Sequence, residues 1–172
     1  MPGSTTSLFP DINVWVALTY EGHAHHRTAA RWFATLRPDV SLVFCRLTQL
    51  GLLRLLTTAA VMGDEVMTQP QAWAAYDQWR QDSRVELADE PAEIEARFRT
   101  LTRLRQPAAR DWADSYLAAF ATVGQLTLVT FDRGLRAKAK SAVSRGMRSC
   151  GRPKAGWPIW GLSAGSKALL MP

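Results

Sequence analysis

Hydrophobic positions along the chain change period several times, and the changes mark out alternating strands and helices. Leu8-Phe9-Pro10-Asp11 is a short β-prone run that ends on a carboxylate and predicts a strand. Asn13, a favoured helix-starting residue, is expected to open a short helix through Val14, Trp15, Val16, Ala17 and Leu18. From His25 to Leu36 the apolar residues Ala29, Trp32, Phe33 and Leu36 fall on one stripe, which predicts a second helix. Val40 to Phe44 reads as a strand, and Leu47 to Leu56 is apolar nearly all round, as in a buried helix. Thr68 to Gln81 carries Pro70 in its first turn, a good helix opening, and Val85-Glu86-Leu87 is a short strand. Ile94 to Leu104 is amphipathic, with Ile94, Phe98, Leu101 and Leu104 expected to face the core. Trp112 to Val123 is a further helix closed by Gly124, and Leu126 to Phe131 is the clearest strand of all. Beyond Gly134 comes a basic, helix-like stretch, then a loosely organised tail in which only Ala168-Leu169-Leu170-Met171 is apolar enough for another strand.

Strands alternating with helices imply an α/β domain around a largely parallel sheet. Ligands of such sheets gather beyond the carboxyl ends of the strands. Asp11 and Asp132 each end a predicted strand, so the two carboxylates are expected to converge there. Asp114 lies inside the apolar helix and shares a face with Leu117, Ala118 and Ala121, which points it inward. Unpaired charges in such places cost several kcal/mol, so buried carboxylates are normally paired or bound to a metal. No Lys or Arg close in sequence neutralises all three. The economical reading is one cation site assembled from distant parts of the chain.

At 172 residues, 47% of them hydrophobic and 21% charged, the chain is read as one folded domain with a real core. No apolar stretch approaches the roughly 20 residues that span a bilayer, and the first residues lack a signal-peptide pattern. A cytoplasmic location is therefore expected, with no membrane partner. Cys45 and Cys150 suggest neither a disulfide framework nor a metal motif. His23, His25 and His26 cluster at a loop and helix start, with no fourth ligand near them for zinc. Charge is unevenly spread. Residues 1–132 hold 12 Lys/Arg against 15 Asp/Glu, whereas residues 133–172 hold 9 Lys/Arg and no acid. A basic block of that kind favours a polyanionic partner or forms a solvated tail.

Four blocks resemble the PIN-domain family, and within it the VapC-type toxins of bacterial VapBC modules. They are Phe9-Pro10-Asp11-Ile12-Asn13-Val14-Trp15, Leu47-Thr48-Gln49-Leu50-Gly51-Leu52-Leu53-Arg54-Leu55, Ala113-Asp114-Ser115-Tyr116-Leu117-Ala118-Ala119 and Leu128-Val129-Thr130-Phe131-Asp132-Arg133-Gly134. They occur in the family's order and cover residues 8 to 135. The resemblance implies a PIN-like three-layer α/β/α sandwich with a mainly parallel central sheet over residues 7–140, followed by a basic C-terminal extension over 141–172. It also implies Mg²⁺- or Mn²⁺-dependent endoribonuclease activity, restrained by a bound antitoxin, in a protein expected to form a homodimer.

The family's acidic cluster maps onto Asp11, Asp114 and Asp132, and its fourth acid falls at or near Gln49, a departure that removes one charge. Mg²⁺ prefers oxygen ligands, keeps several waters and commonly uses one or two carboxylates directly. Asp11 and Asp114 are accordingly the candidate metal ligands, with Asp132 holding metal waters or a second ion. Asn13 and Thr130 are candidates to orient the acids or the attacking water, each with an alternative as a simple cap or turn residue. Two other functions compete. One is a PIN-like module that has lost turnover and binds RNA or protein; the other is a phosphotransfer domain with Asp11 as nucleophile, which would want an acid where Asn13 stands.

Overall fold

The computed structural model describes residues 6–149 and 168–170. The chain runs β1 (Ser7–Pro10), α1 (Ile12–Thr19), α2 (His26–Ala34), β2 (Ser41–Phe44), α3 (Arg46–Leu56), α4 (Ala59–Met62), α5 (Gln69–Gln81), β3 (Val85–Leu87), α6 (Ile94–Leu101), α7 (Asp111–Val123), β4 (Thr127–Thr130), α8 (Arg133–Ser149) and β5 (Ala168–Leu170). The strands form one sheet in the order β3-β2-β1-β4-β5, and every neighbouring pair is parallel. Successive residues of a strand point to opposite faces, and the core divides accordingly. Phe9, Val43 and Leu128 pack against α6, α7 and α8 on one side. Leu8, Leu42, Phe44 and Val129 pack against α1, α3 and α5 on the other. The result is the expected three-layer α/β/α sandwich.

The sheet order places the functional edge. From β1 the chain steps outward to β2 and β3, then returns to lay β4 on the opposite side of β1. A crevice opens at the carboxyl ends of the strands where such a reversal occurs, and here that point lies between β1 and β4. Pro10 is tolerated in central strand β1 because its register with β2 closes earlier, at Leu8↔Leu42. On the β4 side pairing continues through Pro10↔Val129, and the Asp11 amide donates to the Val129 carbonyl at 2.9 Å. That bond holds Asp11 at the switch point.

Two sequence expectations need correction, and a third, the close of α7 at Gly124, holds with a different left-handed residue. Helix α1 begins two residues earlier than expected, so Asp11 caps it and Asn13 lies exposed inside the first turn. Helix α6 ends at Leu101, which leaves Leu104 56% exposed instead of in the core. Helix α7 closes on a Schellman motif, in which the Leu126 amide reaches the Ala121 carbonyl at 2.8 Å. Its left-handed residue is Gln125 (φ 54°), and Gly124 is an ordinary right-handed cap. The basic tail beyond Ser149 lies outside the described residues, except that Ala168–Leu170 pairs parallel with β4.

Candidate active site

Asp11 is 2% exposed, and each of its oxygens has a partner. Oδ1 accepts the Val14 amide at 2.8 Å, which caps α1. Oδ2 accepts the Thr130 hydroxyl at 2.5 Å, across the β1–β4 crevice. The helix α1 it caps is seated by Gly51 of α3, where a Cβ would fall 2.5 Å from the Ile12 side chain. Burial pushes the Asp11 carboxyl up to about 6, with the Asp132 charge adding to the rise. Thr130 and the amides of Val14 and Asn13 pull it back down. The hydrogen bonds therefore only partly offset the loss of water.

Asp132 follows β4 at the same edge and is exposed. Its Oδ1 accepts the amides of Gly134 (2.6 Å) and Leu135 (3.2 Å), so it opens α8, while its own amide donates to Thr130 Oγ1 at 2.8 Å. Thr130 thus links the two acids: it donates to one and accepts from the backbone of the other. Asp114 stands in the first turn of α7, half-buried beside the fully packed Ala118 and Leu117. Its carboxyl is held above the usual range, first by burial and then by the Asp132 charge, while Lys138 lowers it. Asp132 is therefore the charge that both other aspartates feel.

Two residues here escaped sequence reasoning. Asp111, one turn before Asp114, pairs with Lys138 of α8, and Ser115 closes the triangle. Lys138 Nζ donates to Ser115 Oγ at 2.8 Å, and Ser115 donates to Asp111 Oδ2 at 2.9 Å. Lys138 holds the Asp111 carboxyl below the ordinary range, with Ser115 assisting. Asp111 and Ser115 stand three before and one after Asp114, a helical spacing legible in sequence. Lys138 is 27 residues from Asp111, and only the packing of α7 against α8 joins them. Beside them opens a cleft of about 480 Å³ lined by Arg103, Asp111, Gly134 and Lys138, with Leu101 and Leu104 as its apolar wall.

Gln49 makes its contact within its own helix. It is buried in α3, and its Oε1 is taken by Arg46 of the same helix at 2.5 Å. Among the described residues no three His, Cys, Asp or Glu side chains stand close enough to enclose one metal ion directly. The donor set is nonetheless all hard oxygen, and its buried member carries a charge that its hydrogen bonds do not fully compensate. Such a site suits a hydrated Mg²⁺ or Mn²⁺ held by one or two carboxylates and otherwise through its waters, and not a closed carboxylate cage. Of the three histidines, His25 stacks on Phe131, the residue before Asp132 (centroids 4.4 Å), and His26 Nδ1 contacts the Ala17 carbonyl at 2.8 Å.

The PIN domain is matched over residues 8–141. Ribonuclease VapC41 of Mycobacterium tuberculosis is 43% identical over 129 residues, covering 73% of this chain and 88% of that protein. Two solved structures share the fold. One is M. tuberculosis VapC20, a Sarcin-Ricin loop cleaving toxin, at TM-score 0.57 and 22% identity over 76% of this chain and 93% of that one. The other is VapBC2 from Rickettsia felis bound to a DNA fragment from its promoter, at TM-score 0.57 and 16% identity over 77% and 92%. The aspartate-bearing switch point of an all-parallel sheet, a domain match over most of the chain and this level of identity agree: the chain belongs to the PIN-domain family and, within it, to the VapC group.

Proposed function

We propose that this protein is a divalent-metal-dependent endoribonuclease, the toxin of a VapBC module, with Asp11, Asp114 and Asp132 as its catalytic acids. The observation that carries the reading is their mutual placement. Thr130 joins the strand ends that carry Asp11 and Asp132, and the Asp132 charge acts on both Asp11 and the helix carboxylate Asp114. Asp11 and Asp114 are the residues that would hold Mg²⁺ or Mn²⁺. Such an ion supplies a water made nucleophilic near neutral pH and offsets the charge that develops on the phosphoryl group.

The chain's own residues do the positioning. Thr130 fixes the Asp11 carboxylate in one orientation, and the α1 amides draw its other oxygen toward the helix. Asp132 spends its Oδ1 on the first amides of α8, and its charge raises the carboxyls of both Asp11 and Asp114. Arg103 offers positive charge at the adjoining cleft, where an RNA backbone would run. Exposed Leu50 (55%) and Trp73 (47%) flank a second cleft, between α3 and α5, of about 380 Å³. We assign that apolar surface to a second copy in a homodimer, and place the protein in the cytoplasm beside a cognate antitoxin.

The test is cleavage of RNA by the purified full chain with Mg²⁺ or Mn²⁺. Cutting should stop in EDTA and fall at least a hundredfold in Asp11→Asn and Asp114→Asn, with the fold kept. Residual cleavage equal to the parent in both variants would refute the assignment. The pairing of Gln49 with Arg46 favours one other reading, a module that binds RNA without cutting it. Metal-dependent RNA binding without any product would select that reading.

A further inference from the structure

The Lys138 triangle has a consequence for the acidic site beyond holding two helices together. Lys138 and Asp111 are each only 21% exposed, and Ser115 is fully buried. The ammonium meets Asp111 on one side and Ser115 at 2.8 Å on another, and its charge also reaches Asp114 one turn along α7. Asp111 would otherwise be a fourth carboxylate beside the three catalytic acids. Its partner comes from α8, the same helix that Asp132 opens.

We propose that Lys138 is a positioning residue that withdraws Asp111 from the metal site and sets the site's charge. This rests on the acidic site being a metal site. With Lys138 in place, Asp111 is neutralised and turned toward Ser115, and Asp114 is left as the carboxylate that α7 offers to a cation. Without Lys138, Asp111 carries an uncompensated charge in a partly dry position and is drawn to any divalent ion nearby. A pair that served only to join α7 and α8 would influence stability and leave cation affinity unaltered.

The experiment is Mn²⁺ binding to the full-length protein by calorimetry, with thermal melts as the control for folding. Lys138→Met should bind Mn²⁺ about tenfold more tightly than the parent, because one extra negative charge acts on a doubly charged ion near a surface. Asp111→Asn should bind about tenfold more weakly, since the freed ammonium then faces Asp114. The double variant should return close to the parent, and Lys138→Arg should match it. Equal affinities for the parent, Lys138→Met and Asp111→Asn overturn the proposal, as does a double variant that stays as tight as Lys138→Met. Should Lys138→Met fail to fold, Asp111→Asn carries the test by itself. A parent that binds no Mn²⁺ overturns the metal reading and this inference together, whereas a parent that binds normally beside unshifted variants overturns this inference only.

Discussion

Replacing Asp11 by Asn should stabilise the metal-free protein while abolishing its cleavage of RNA. The Asp11 carboxyl moves from 3.8 to about 6 on folding, chiefly because burial removes its water. At about 1.4 kcal/mol per pKa unit, that shift corresponds to roughly 3 kcal/mol of destabilisation when the group is ionised. The sign follows from proton binding. The folded chain holds this proton more tightly than the unfolded chain, so the penalty is absent below pH 4. It grows between about pH 4 and 6 and is complete above that. Asn keeps the acceptor for the Val14 amide, and its NH₂ can donate to Thr130 Oγ1, which then loses an acceptor for its own hydrogen. That rearrangement costs on the order of 1 kcal/mol, leaving a net gain of about 2 kcal/mol at pH 7. Urea denaturation of parent and variant in EDTA at pH 4, 5, 6 and 7 measures it. Taking the difference cancels the opposite contributions of Asp82 and Asp111, whose carboxyls are held low by Arg84 and Lys138. Mn²⁺ at one hundred times its dissociation constant should restore about 2.7 kcal/mol to the parent and little to the variant. A variant less stable than the parent at pH 7, or a difference that does not change with pH, would refute the reasoning.

Asp132 combines a cap with a charge, and two substitutions separate them. Asp132→Ala should cost about 1 kcal/mol in melts through loss of the α8 cap, whereas Asp132→Asn should melt near the parent and still lose RNA cleavage. Gln49→Glu should leave metal-free stability within about 0.5 kcal/mol, because Arg46 already donates to that oxygen and can pair with the new charge. A fall of 2 kcal/mol would place position 49 within reach of the aspartates instead. Leu50→Arg together with Trp73→Glu should shift the purified protein from dimer to monomer in light scattering, with no loss of secondary structure by circular dichroism. A dimer that survives both changes removes the α3–α5 surface from the assignment.

How far the sequence carried depended on whether a feature is local. The strands around Leu8, Leu42 and Leu128 were legible because each is a compact β-prone run, and their alternation with helices was enough for the fold class. The convergence of Asp11 and Asp132 followed from strand polarity alone, since parallel neighbours end at one edge. Helix ends were less legible. Asn13 looked like the natural cap, but a carboxylate two residues earlier accepts the Val14 amide and starts α1 there. Leu104 continued the apolar stripe of α6 on paper, yet the helix stops at Leu101 and the stripe stops with it. Trp73 and Trp112 fit apolar helix faces in the same way and remain about half exposed. Lys138 was illegible for a different reason. Nothing in a run of basic residues distinguishes the one that turns inward to Asp111 from those that stay in water.

Thr130 joins two of the three acids into one unit. A single hydroxyl donates to Asp11 and accepts the amide of Asp132, so the ends of β1 and β4 share one fixed point. The side chain is fully buried, which excludes water from competing for either bond. Two carboxylates brought this close repel, and an arrangement selected only for stability would replace one of them with a neutral or basic residue. Here α8 does supply a lysine, but its ion pair is with Asp111, its charge reaches Asp114 only at longer range, and among the described residues no ion pair forms with Asp11, Asp114 or Asp132. Compensating Asp111 while leaving the buried Asp11 without a cationic partner among the described residues is costly for the free protein, and a bound cation would offset that cost. The distribution of charge, more than the presence of any single aspartate, is the physical argument for a metal-dependent hydrolase.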